Sequence, residues 1–144
     1  ARYGISWGVL GAAMACYEAS AKYSKERLMF GQPLDAFQLT PKKLAELITE
    51  LPTGQLLVWR LSKMKDGGTM KPEHVSMAKR NNCAIALDIA RVARGIHGAN
   101  GITNEYPIMR HMMNLESVYT YEGTHEMHTL VLGEVATGIA AYRV

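Results

Sequence analysis

Apolar side chains recur every three or four residues through most of this chain, and nowhere do they alternate as a half-buried strand requires. Ile5, Val9, Ala12, Ala13, Cys16, Ala19 and Tyr23 draw one stripe through residues 1–29, while Gly4, Gly8 and Gly11 let a neighbouring helix come close. Gly31 and Pro33 mark the end of that helix. A second is expected from Thr40 and Pro41, a capping hydroxyl followed by proline at the first helical position. Its stripe is Leu44, Leu47, Ile48, Leu51, Leu57 or Val58, Leu61 and Met64, with Pro52 predicting a kink. After a turn at residues 65–69, Pro72 opens a third helix. One of its faces carries Val75, Ala78, Asn82, Ile85, Ile89, Val92 and Ile96, and a second carries Cys83, Ala86, Ala90 and Ala93, so it is expected between neighbours. A short helix over about residues 107–114 precedes a last one bearing Met127, Leu130, Val131, Val135, Ile139 and Tyr142. Long helices with short connections predict an all-α, antiparallel, up-and-down four-helix bundle, a single helical domain over residues 1–144.

At 144 residues and 48% hydrophobic, the chain can bury one core. Its 16 basic and 13 acidic side chains are scattered, with no block of like charge to follow a nucleic-acid backbone. Cys16 and Cys83 form no C-x-x-C pair and are too few for a disulfide framework, which predicts reduced thiols and an intracellular location. The uncharged run over residues 3–17 falls short of a membrane span. Because the apolar helix is already under way at Ala1, a fragment of a longer protein is expected.

Chemistry is expected around residues 119–128. Glu122 stands between Tyr121 and Gly123, just ahead of the last helix, whose free N–H groups and positive end face whatever binds there. A glycine at 123 permits close backbone approach. The plainer reading is a capped helix start with a surface glutamate. A carboxylate in a pocket can serve as a general base, with an apolar pocket raising its pKa and a helix N-terminus lowering it. Glu122 and His125 form a Glu-x-x-His pair, but no second copy exists, and His125 and His128 lack the i, i+4 spacing of a zinc helix, so no metal site is expected. The second candidate is the loop containing Gly95, Gly98 and Gly101, three glycines in seven residues.

Tyr121, Glu122, Gly123 and Thr124, preceded by Arg27-x-x-Phe30-Gly31-x-Pro33-Leu34-x-x-x-Gln38 and a glycine loop before Asn100 and Gly101, resemble the C-terminal helical domain of the flavin-dependent acyl-CoA dehydrogenases in order and spacing. Arg80-Asn81-Asn82-Cys83, Ala86-Leu87-Asp88-Ile89-Ala90-Arg91, Asn114-Leu115-Glu116 and Thr120-Tyr121-Glu122-Gly123-Thr124-His125 resemble most the branch that acts on glutaryl-CoA, and plant-type short-chain acyl-CoA oxidases share several of these features.

The resemblance implies a whole protein that binds FAD and an acyl-CoA thioester, oxidises and decarboxylates glutaryl-CoA to crotonyl-CoA, and passes electrons to an electron-transfer flavoprotein. It implies a homotetramer, in the cytoplasm of a bacterium or the mitochondrial matrix of a eukaryote. An N-terminal helical domain and a middle β-domain would lie outside this chain, which alone would be inactive. A short-chain acyl-CoA dehydrogenase or oxidase and a non-catalytic assembly module are the alternatives. By resemblance Glu122 is the catalytic base, Gly123 a substrate contact, Tyr121 a neighbour of the far end of the substrate and Thr124 a flavin contact. Arg27, Phe30 and Gln38 match residues holding the adenine-dinucleotide part of FAD, commonly that of an adjacent subunit. Gly95, Ile96, His97, Gly98 and Ala99 match a further FAD loop, with Ala99 in place of a glycine and His97 in place of an apolar residue. Tyr142 matches an aromatic residue near the flavin.

Overall fold

Small residues decide how closely the helices pack. Along α3 (Pro72–His97), Ala78, Cys83, Ala86, Ala90 and Ala93 are buried, and α1 (Arg2–Glu26) sets Val9, Ala13 and Cys16 in the same core. The computed structural model describes residues 1–142. With α2 (Leu39–Asp66), α4 (Ile108–Thr120) and α5 (His125–Thr137), these five helices build an all-α, up-and-down helical bundle in which the two short helices, α4 and α5, meet at a corner. α3 touches each of the other four, as its two apolar faces require. Leu47 and Leu51 of α2 and Ile108 and Leu115 of α4 complete the main core, and Leu10, Val58, Leu61 and Ala78 form a second cluster. Among the described residues no helix is long and apolar enough to cross a membrane. Cys16 and Cys83 are free thiols in the core, and burial pushes both up to about 11.

Several element boundaries differ from the sequence expectation, each for a local reason. Between α1 and α2 the chain forms a small antiparallel hairpin, β1 (Leu28–Met29) and β2 (Gln32–Pro33). Phe30 (φ 50°) and Gly31 (φ 76°) are both left-handed, the conformation a two-residue hairpin turn needs. Thr40 is not the cap of α2. A 3₁₀ turn at Leu34–Ala36 runs almost directly into that helix, which begins at Leu39, and the Thr40 N–H donates to the Phe37 carbonyl at 2.9 Å. Pro41 still lies in the first turn, where its missing N–H has no helical acceptor to lose. α2 then runs unbroken through exposed Pro52. α4 continues to Thr120 because Leu115, Val118 and Tyr119 extend its apolar face beyond residue 114. α5 stops at Thr137, where Gly138 (φ 74°) takes a left-handed cap and donates to the Glu134 carbonyl at 2.7 Å. Ile139 and Tyr142 are therefore off the helix, and Ile139 is 72% exposed.

One buried amide joins three helices. Asn82 of α3 is fully buried and donates through Nδ2 to the carbonyls of Ser6 in α1 (3.0 Å) and Gly54 in α2 (3.2 Å). Gly54 is dictated by this node, since a Cβ there would lie 2.9 Å from Leu10 Cδ2 and 3.1 Å from Asn82 Oδ1. Asn82→Ala should destabilise the protein by about 1–3 kcal/mol, the cost of stranding buried polar groups plus a small void. Denaturant unfolding checks this, and an unchanged midpoint would contradict the bridging role.

Candidate active site

The corner between α4 and α5 is made by two successive residues with positive φ. Tyr121 is extended (φ −81°, ψ 167°), Glu122 has φ 55° and Gly123 has φ 90°. Thr124 then caps α5, its hydroxyl oxygen accepting from the Met127 N–H at 3.1 Å. The Glu122 side chain is left exposed at the apex. On its Cβ side Gly123 faces the protein's own His128, and a methyl there would lie 2.9 Å from Nε2 and 3.0 Å from Cε1. His128 is 1% exposed and lies against the backbone of Glu122 and Gly123 without a well-formed hydrogen bond. Burial lowers its pKa, so the ring is neutral.

The buried face of the corner is held by Lys79, which is 1% exposed on α3. Its Nζ donates to the carbonyls of Tyr121 and Gly123, both at 2.6 Å. Sequence reasoning passed over this lysine. Its signal was present: Lys79, Cys83, Ala86, Ala90 and Ala93 share one spacing, so a cation heads the buried small-residue face. Nearby, His125 stacks on Tyr119 (centroids 4.5 Å apart, planes at 7°), and Arg80 Nε donates to Thr129 Oγ1 at 2.7 Å. The Thr129 hydroxyl in turn donates to the His125 carbonyl at 2.8 Å. Burial, with Arg80 close by, lowers the pKa of His125. Among the described residues no three His, Cys, Asp or Glu side chains converge as metal ligands would. Beside the corner, Tyr121 closes one end of an apolar cleft of about 180 Å³ between α1 and α4, with Ile5, Val9, Ala12, Leu115 and Val118 in its walls.

A second cleft, of about 320 Å³, brings Arg27 together with Gly95, Ile96, His97, Gly98 and Ala99. Gly98 (φ 58°, ψ −132°) turns the chain out of α3, and Gly101 passes so close to Arg94 that a Cβ would lie 2.5 Å from its carbonyl oxygen. His97 is 2% exposed, stacks on Tyr23 (4.4 Å) and meets Tyr106 edge-on (5.0 Å). Its Nδ1 lies 2.8 Å from the Ala93 carbonyl, which can only accept, so Nδ1 carries the proton and Nε2 keeps a buried lone pair with no partner among the described residues. Ala99 is exposed on the wall of the cleft.

The remaining candidates lie outside that cleft. Phe30 is 91% exposed at the hairpin tip with Phe37 as its ring neighbour, and Gln38 is exposed at the start of α2. Thr124 belongs to the Glu122 corner, and the Tyr142 hydroxyl donates to Glu134. Roughly 24 Å of α3, at ~1.5 Å per residue, separates Lys79 from Gly95, so the corner and the cleft sit at opposite ends of the central helix.

Fold and site together define a helical-bundle domain that presents one carboxylate at a helix–helix corner and a polar cleft at the other end. Residues 1–137 match the family model described as "Acyl-CoA dehydrogenase, C-terminal domain", and the chain belongs to that family. It is 51% identical to a crystallised glutaryl-CoA dehydrogenase from Mycobacterium smegmatis, with a TM-score of 0.96 over 99% of this chain and 37% of that one. A structure of a glutaryl-CoA dehydrogenase from the same organism in complex with FADH2 is 47% identical, with the same TM-score and coverage. The short-chain specific acyl-CoA dehydrogenase of Megasphaera elsdenii is 33% identical over 132 residues, 92% of this chain and 34% of that protein. The chain thus spans about a third of the length of the relatives it matches.

Proposed function

We propose that this chain is the C-terminal helical domain of an FAD-dependent acyl-CoA dehydrogenase that oxidatively decarboxylates glutaryl-CoA to crotonyl-CoA, with Glu122 as the base. The carrying observation is the corner itself, where an exposed carboxylate stands on a left-handed residue held from beneath by Lys79. In this reading Glu122 removes the α-proton of the thioester. That carbon is too weak an acid for a carboxylate unless charge developing on the thioester oxygen is stabilised. The Glu122 backbone N–H has no acceptor among the described residues, which leaves it available to donate to that oxygen. When bound, FAD supplies the acceptor for the β-hydride. Gly123 contacts the substrate and Tyr121 stands near its far end, next to the apolar cleft.

Thr124 and Tyr142 flank the flavin ring in this reading, while Arg27, Phe30, Gln38, Gly95, Ile96, His97, Gly98 and Ala99 hold the adenine-dinucleotide part of FAD from an adjacent subunit. A guanidinium in the wall of this cleft can pair with a diphosphate through its fork of N–H groups. The separation of cleft and corner along α3 supports their serving different copies of the cofactor. The whole protein is then a homotetramer with an N-terminal helical domain and a middle β-domain, placed in bacterial cytoplasm or mitochondrial matrix, with an electron-transfer flavoprotein as electron acceptor.

The test is an assay of the whole protein against glutaryl-CoA and butyryl-CoA, with flavin absorbance, carbon dioxide and peroxide all followed. Bleaching by glutaryl-CoA with release of carbon dioxide and little peroxide is expected. Bleaching by butyryl-CoA alone would move the assignment to a short-chain enzyme, and rapid peroxide formation to an oxidase. A colourless protein that still assembles would make the chain a structural module.

A further inference from the structure

Lysine is the side chain least expected in a bundle interior, because a buried ammonium loses its hydration and must recover it from the protein. Among the described residues, Lys79 recovers part of it from two carbonyls, those of Tyr121 and Gly123, with Nζ 2.6 Å from each. These peptide units lie on either side of Glu122. Tyr121 also terminates α4, so the ammonium sits where the last carbonyls of that helix need donors and where its dipole is negative. Glu122 itself has φ 55°, a region non-glycine residues enter only when their surroundings hold them there.

We infer that Lys79 is a positioning residue for the base: by clamping the carbonyls before and after Glu122, it holds the left-handed backbone and so sets the direction in which the carboxylate leaves the corner. The inference rests on the assignment of Glu122 as base. The electrostatics agree with the geometry. Desolvation lowers the Lys79 pKa, and Arg2 acts in the same direction, while Cys83 and Glu122 oppose the shift. The Cys83 thiol, held up near 11, is neutral at neutral pH, so Glu122 is the carboxylate that favours the charged lysine. The clamp lies under the corner and Glu122 points outward, so Lys79 acts through the backbone without touching the substrate.

A base displaced by about 1 Å can lose on the order of 100-fold in rate without loss of binding. Lys79→Met in the whole, flavin-loaded enzyme should therefore slow substrate-driven flavin reduction by about 10- to 100-fold, with KM for the acyl-CoA changed less than about threefold. The isotope effect from α-deuterated substrate should rise, since α-proton removal becomes the slow step. Lys79→Gln, which keeps a donor on a shorter arm, should fall between Met and wild type. A structural role alone would lower the melting temperature or the flavin content while leaving the reduction rate per bound flavin unchanged. That result in Lys79→Met, or in Lys79→Gln should the Met variant not be recovered with flavin, would overturn the inference. Glu122→Gln measured alongside separates the two assignments. If it retains turnover, the base is elsewhere; if it is inactive while both Lys79 variants reduce flavin at the wild-type rate, only the clamp fails.

Discussion

Glu122→Gln in the whole enzyme should lower the rate of substrate-driven flavin reduction by about 10³-fold, the middle of the range for removing a general base. Glutamine keeps the length and shape of the side chain but has no carboxylate to take a proton. The Glu122 side chain is exposed and forms no ion pair among the described residues, so fold and flavin content should be those of the wild type. Bound acyl-CoA should still perturb the flavin spectrum without bleaching it. Turnover within a few-fold of wild type, with normal flavin content, would remove Glu122 from the reaction.

Gly123→Ala is the second large effect, and it acts through two independent costs. At φ 90° an L-residue is strained by about 1–3 kcal/mol, whatever space surrounds it. In addition, the new methyl would press on His128 at 2.9 Å, and that ring is buried at the foot of the corner, so relieving the contact means shifting a packed side chain. A loss of at least about 2 kcal/mol is expected, together with slower flavin reduction because the neighbouring Glu122 moves. The double variant Gly123→Ala/His128→Ala relieves the contact but not the strain, so it should lose less than the sum of the two single variants. Thermal unfolding of all four proteins measures this. Strict additivity would show that the ring does not press on position 123.

The helices were legible because their apolar period is long and regular, and α3 runs from Pro72 to His97, where proline and the glycine loop predict. The hairpin was not, because two-residue strands carry no alternation to read. The end of α5 was missed because Ile139 and Tyr142 continue the apolar spacing past Gly138, and a left-handed cap outweighs hydrophobic pattern. The corner was found through Glu122 and Gly123, but its physical explanation lay elsewhere in the chain. Gly123 read as an opening for a ligand, and the structure adds a second reason for glycine there: its Cβ side is filled by His128. Lys79 read as one more scattered charge, since nothing local shows that a lysine's partners are carbonyls 42 and 44 residues away. In the glycine loop, a tight passage beside Arg94 accounts for Gly101, and His97 turned out to be a buried aromatic neighbour of Tyr23 and Tyr106.

The span of the Lys79 clamp also bears on when the site comes into being. A helix turn closes over four residues, but this contact requires α3 to have docked against the corner that follows α4. The corner that carries Glu122 therefore gains this hold only once the tertiary contact has formed. A nascent or partly opened bundle has its carboxylate but no fixed direction for it. Maturation of the site then waits on that contact, and damage that loosens α3 from the corner should misdirect the base before the helices themselves melt.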